Sequence, residues 1–241
     1  MSRLTALILP LLALPVLVSF APTAIAQQIS YETVTETVTV EEEVFEIGAG
    51  ANERFVAAQP AIVQPAPVPH GIARFGPFRV LDNGRAALVD VTDERSPAAF
   101  AAMVRAYPGL SVIEMIECPG TEDDRANLKV GRMIRARGMA THVPAGGSVR
   151  SGGVELFLAG THHTADHGAE FAVHSWADED GREAKDYPAS APENRAYIDY
   201  YKEMGMTPVQ ATAFYAMTNS VPNADAKWLT AAEMGQWVSY N

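Results

Sequence analysis

Between residues 85 and 160 short apolar runs alternate with longer amphipathic stretches, and few architectures accept that order. Residues 85–91 (RAALVDV) read as a buried strand. Ser96-Pro97 then opens a helix with apolar positions at Phe100, Met103 and Val104, and Pro108-Gly109 ends it. Residues 111–116 (SVIEMI) form the next strand, followed by Cys118-Pro119-Gly120-Thr121 and a helix to about residue 137. Thr121 with Asp124 fits a capping box, and Gly138 fits the stop. Residues 139–143 are a third strand, and after a Gly-rich turn a helix spans 152–159 and ends at Gly160. Residues 171–173 read as one more short strand, 193–218 as helix broken around 205–208, and 230–237 as a last helix. Parallel strands need crossover connections, and repeated strand–helix units supply them, so the fold class is α/β with a mainly parallel sheet under helices.

The flanks are different in kind. Residues 1–26 place Arg3 before an apolar run and close on Ala24-Ile25-Ala26, the pattern of a secretory signal peptide cut before Gln27. The expected address is therefore periplasmic or secreted. No later stretch approaches the roughly 20 apolar residues of a bilayer span, so no membrane span is expected once the signal is removed. Residues 27–56 include YETVTETVTVEEEVFEI, whose period-two alternation suggests a β arm. Residues 57–74 are rich in proline and read as a semi-extended linker, leaving 75–241 as the α/β domain. The formal net charge of −11 argues against a nucleic-acid partner, which requires clustered Lys and Arg. Cys118 is the single cysteine, so neither an intrachain disulfide nor a Cys-rich zinc module forms.

The chemistry concentrates in residues 146–174, GGSVRSGGVELFLAGTHHTADHGAEFAVH. Ser151 sits in a small-residue turn directly before an apolar helix, where unpaired backbone N–H groups can stabilise an oxyanion. A serine in that place also serves as a plain N-cap. Its neighbours do not make the G-x-S-x-G elbow. Cys118-Pro119-Gly120-Thr121 likewise follows a strand and opens a helix, and turns on neighbouring parallel strands share the sheet edge where α/β proteins bind ligands.

These residues resemble the Clp protease proteolytic subunit and the wider crotonase-like fold, as a divergent exported member. That family carries a strand, S-P-G-G and a helix, then a strand and A-S-M-G-A-F-L-L-A-A-G with the nucleophilic serine. Here CPGT stands at 118–121 and RSGGVELFLAG at 150–160. The family's histidine closes a short strand about two dozen residues on, and Ala172-Val173-His174 ends 23 residues after Ser151. WLTAAEMGQW at 228–237 looks like its C-terminal F-L-S-A-x-E-A-x-x-x-G element.

The resemblance implies a repeated ββα superhelix and a serine hydrolase, peptidase-like, acting on a peptide or protein substrate without a cofactor or metal. Ser151 would be the nucleophile, His174 its general base, and the N–H groups of Gly120 and Gly152 the oxyanion hole. It also implies a homo-oligomer, since relatives assemble into trimers or rings. Thr121 replaces a glycine and Arg150 a small residue, the latter with a guanidinium suited to a carboxylate. The family's third catalytic residue, an aspartate some fifty positions after the histidine, has no clear match. Asn219, Asn223 and Asp225 lie in that region and none is assigned. A catalytically silent binder of a peptide or envelope partner is the alternative reading.

Three competing patterns stay open. His163 and His167 have i, i+4 spacing that would suit zinc on a helix, but the glycines around them favour a surface loop that also holds His162. Cys118 beside a helix N-terminus suits a reactive thiol or a small buried residue. Trp176, Tyr197, Tyr200 and Tyr201 suit either a substrate groove or the core.

Overall fold

A computed structural model describes residues 64–240. The expected signal peptide (1–26), the β arm (27–56) and the first part of the linker (57–63) lie outside the described residues.

The ordered sheet begins with β1 (Ala73–Phe75), β2 (Phe78–Val80) and β3 (Arg85–Leu88), an antiparallel run. From β3 onward the chain becomes parallel. β4 (Val112–Met115), β6 (Ala140–Val143) and β8 (His163–Ala165) extend the same sheet, in the order β1-β2-β3-β4-β6-β8.

Each of the last three strands is followed by a second one that leaves the first sheet. β5 (Glu117–Cys118), β7 (Ser148–Arg150) and β9 (Glu170–Val173) pair in parallel with one another in a second sheet. The chain is thus a repeated ββα unit: β4-β5 leads into α2 (Asp124–Ala136), and β6-β7 leads into α3 (Gly152–Leu158). α1 (Ser96–Ala106) follows β3 and packs against α2, which packs in turn on α3. The parallel α/β class expected from the alternation is what the chain forms, divided into two sheets.

Several local expectations need correction. The cap of α2 is Asp123, whose carboxylate accepts the Ala126 N–H at 2.8 Å, whereas Thr121 Oγ1 donates to the Thr92 and Asp123 carbonyls. Arg95 is the N-cap of α1, with Ser96 the first helical residue. The loop expected at 162–167 is interrupted by a strand: His163–Ala165 form β8, paired to β6 in the Thr141↔His163 register, while His162 and His167 lie in the bend and turn on either side. The last helix, expected over 230–237, is shorter and is preceded by a strand that the sequence reading did not include. β10 (Lys227–Thr230) runs antiparallel to β9, and only α6 (Ala231–Met234) behind it is helical, with Thr230 and Glu233 forming its capping box.

The core joins these layers through Phe78, Phe100, Phe157, Phe171 and Phe214, all fully buried. α4 (Pro192–Glu203) and α5 (Pro208–Thr218) close over α3. The tie is polar as well as apolar. Tyr200 Oη donates to the Glu155 carbonyl and Tyr201 Oη to the Glu155 carboxyl, both at 2.7 Å. Where Tyr200 meets α2 there is no room for a side chain, since a Cβ on Gly131 would lie 1.9 Å from Tyr200 Oη. No helix among the described residues is long and apolar enough to cross a membrane.

Candidate active site

The second sheet has the order β10-β9-β7-β5, so β7 lies between β9 and β5. The register pairs Cys118 with Val149 and Arg150 with Ala172. One or two residues past those pairs, all on the same edge, come Gly120, Ser151 and His174. Parallel pairing therefore delivers to one rim the three positions that sequence reasoning had placed together, with Ser151 in the middle.

Ser151 has φ 48° and ψ −128°, and it is the one non-glycine residue with positive φ among the described residues. Its N–H donates to the Ala172 carbonyl and its carbonyl accepts from Val154 N, both at 2.9 Å. The strand ladder on one side and the first turn of α3 on the other hold this backbone, which costs on the order of 1–3 kcal/mol for a residue carrying Cβ. The turn leaves Oγ half-exposed and without a hydrogen bond among the described residues.

Glycines surround it for steric reasons. A Cβ on Gly120, whose φ is 130°, would stand 3.0 Å from Ser151 Cβ and 3.4 Å from its Oγ. A Cβ on Gly152 would meet Thr121 Cγ2 at 2.6 Å. Both glycines are buried, yet neither N–H has an acceptor among the described residues. A buried, unpaired amide N–H is unfavourable unless something else fills it, and two beside one serine hydroxyl suit an oxyanion. Asn127 fixes this arrangement: its Nδ2 donates to the Gly152 carbonyl at 2.7 Å, and its Oδ1 accepts from Thr92 Oγ1 at 2.8 Å.

His174 lines the same pocket as Ser151 and Gly152. Its Nδ1 lies 2.8 Å from the Ser175 carbonyl, an acceptor, so Nδ1 carries the proton and Nε2 is left basic. Asn223 Nδ2 donates to that same carbonyl at 2.8 Å and sits 3.2 Å from Nδ1, two donors sharing one oxygen. Glu183 in turn accepts the Asn223 N–H at 3.0 Å. Of the three candidates left unassigned in the sequence, this geometry selects Asn223, 49 residues after the histidine. Spacing alone had already indicated its neighbourhood; the reversal of the chain after α5 picks the residue. No hydrogen bond joins Ser151 Oγ to His174 among the described residues, as is common in acyl-transfer sites before substrate is bound.

The chain is similar in fold to the Clp proteolytic subunit. A point mutant of ClpP1 from Listeria monocytogenes superposes with a TM-score of 0.47 at 16% identity, over 65% of this chain and 88% of that one. A mutant of the 1510-N membrane-bound stomatin-specific protease in complex with a substrate peptide gives 0.43 at 16%, over 66% and 74%. A second mutant of that protease gives 0.42 at 15%, over 63% and 74%. No family model and no curated protein matches the chain.

Other sequence candidates have different surroundings. The Arg150 guanidinium is held by Glu117 and Ser148 Oγ, so it is engaged within the second sheet instead of waiting for a substrate carboxylate. Cys118 is buried, its thiol donates to the Leu88 carbonyl, and desolvation pushes its pKa far up, the opposite of a reactive thiolate. The His163 ring packs on Phe157, and its Nε2 meets the Leu158 carbonyl at 3.1 Å.

Two acids in the pocket were not anticipated. Glu155 is only 6% exposed, and desolvation pushes its carboxyl up to about 7 against the pull of the Tyr201 hydrogen bond. Asp124 has an exposed outer side, but its carboxyl faces the pocket; desolvation raises its pKa, opposed by the Tyr197 hydroxyl. Helical spacing hides Glu155, since it reads as a polar break in an apolar helix until α4 covers it.

Proposed function

We propose that the protein is an exported serine hydrolase, peptidase-like, with Ser151 as nucleophile, His174 as general base and the Gly120 and Gly152 N–H groups as oxyanion hole. The observation that carries this is the left-handed backbone of Ser151, held between two unpaired amide hydrogens and the one pocket histidine. In the reaction, Ser151 Oγ bonds to the scissile carbonyl carbon while its proton passes to His174 Nε2. The carbonyl oxygen becomes an anion facing the two N–H groups. The C–N bond then breaks as His174 returns the proton to the leaving amine, and a water repeats the sequence to release the acyl group.

Asn223 is a positioning residue in this scheme. By holding the Ser175 carbonyl it keeps Nδ1–H engaged and Nε2 directed at its task. The neutral amide takes the place of the aspartate found in relatives and stabilises an imidazolium less.

A fluorophosphonate probe is expected to label the protein, and to fail with Ser151→Ala and with His174→Ala. Equal labelling of Ser151→Ala would refute the assignment. Export is read from the N-terminus of protein recovered from the periplasm or medium, expected at Gln27.

A further inference from the structure

The pocket beside Ser151 is lined by Asp124, Glu155 and Asn219 among its polar groups, and by no Lys or Arg. Glu155 is more than nine-tenths buried, and its carboxyl takes the Tyr201 hydroxyl and its own backbone N–H, with no cationic donor beside it. Asn219 ends α5, and its Nδ2 donates to the Tyr215 carbonyl at 2.8 Å, which fixes the amide so that Oδ1 is the free end. That Oδ1 is buried and has no partner. Buried acceptors without donors are unfavourable, and Asn219 Oδ1 is one beside this pocket.

The remaining wall is aromatic. Trp176 stacks on Tyr197 at 9°, with centroids 6.4 Å apart, and Tyr215 packs on Tyr197 while accepting the Trp176 N–H. Ring faces and desolvated carboxyls attract the same kind of group, a cation with several N–H donors. Outside, the adjoining surface carries Glu122, Asp123, Glu179 and Asp180, which outnumber Arg125 and Arg182 there.

We propose that this pocket binds the Lys or Arg side chain of a peptide substrate next to the scissile bond, with Glu155, Asp124 and Asn219 as its acceptors. The inference rests on the hydrolase reading, whose nucleophile would act on the neighbouring carbonyl. Glu155 is then retained where a neutral residue would be less costly to bury, because a bound cation ionises it and pairs with it. The cation also meets Asn219 Oδ1.

The test compares Nα-acetylargininamide with Nα-acetylcitrullinamide, its uncharged isostere, by NMR titration of the purified Ser151→Ala protein. The arginine ligand is expected to bind about tenfold more tightly, as for a hydrogen bond to a desolvated carboxylate. Glu155→Gln and Asp124→Asn, each added separately, are expected to reduce that ratio severalfold. Equal affinities for the two ligands in the parent protein would overturn the proposal, with no reliance on either variant folding. Fluorophosphonate labelling of the wild type is read alongside. An arginine preference without labelling removes the catalytic reading and keeps the pocket; labelling without the preference does the reverse.

Discussion

Replacing Glu155 by glutamine should make the protein more stable at alkaline pH and no different in acid. An unfolded glutamate titrates near 4.5, whereas in the folded chain burial raises it to about 7. Below 4.5 both states hold the proton and the residue contributes nothing. Between the two values the folded state still holds a proton the unfolded state has released, so stability falls as pH rises. Above 7 the full penalty applies, about 3 kcal/mol from a shift of that size at 1.36 kcal/mol per unit. The groups facing Glu155 are the Tyr197, Tyr200 and Tyr201 hydroxyls and Asp124, none of which supplies a counter-charge. Glutamine keeps the shape and still accepts from Tyr201, without the charge. Urea denaturation followed by tryptophan fluorescence at intervals from pH 4 to 9 should show wild type and Glu155→Gln converging at pH 4. By pH 8 the variant should lead by about 3 kcal/mol. A difference that stays flat across this range, or a less stable variant at pH 8, would refute the reasoning.

Ser151→Gly should raise stability by about 1 kcal/mol while abolishing probe labelling, since glycine adopts the left-handed turn freely, and Ser151→Ala should not raise it; denaturant titration of both variants decides. Asn223→Ala should slow fluorophosphonate labelling roughly tenfold without unfolding the chain, less than the roughly 10²–10⁴-fold of an acid–base group itself because Asn223 acts through His174. Asn223→Asp should move the acid limb of the labelling profile to higher pH, because a carboxylate favours the protonated ring, a shift that a purely structural role would not produce. Gly131→Ala should destabilise by about 2 kcal/mol despite alanine's better helix propensity, because the new methyl meets the fully buried Tyr200 hydroxyl; its thermal midpoint gives the answer.

The order of strands and helices was legible in the sequence because it depends on local periodicity and on turn residues. Gly138 with φ 66° ends α2 where a C-terminal stop belongs, and the α4–α5 break falls at residues 204–207, close to the expected 205–208. That the turns at Gly120 and Ser151 share one sheet edge was legible because each follows a strand and opens a helix, and the resemblance added His174 to that rim. The second sheet was not. β5 and β7 are two and three residues long, too short for any period to register, and only their neighbours turn them into strands. The same holds for β8, whose sequence reads as loop until β6 offers it an edge, and for β10, which no period marked before β9 paired with it.

Tertiary structure alone decided the chemistry of the pocket. Glu155 is an ordinary helical acid in sequence, and it becomes a buried carboxyl with a raised pKa only when α4 lays Tyr200 and Tyr201 over it. Asn223 stands next to two other eligible residues, and the return of the chain after α5 is what brings it to His174. Local sequence carries information about backbone geometry over a few residues. Desolvation and convergence depend on segments 30 to 70 positions away, which no local pattern can encode.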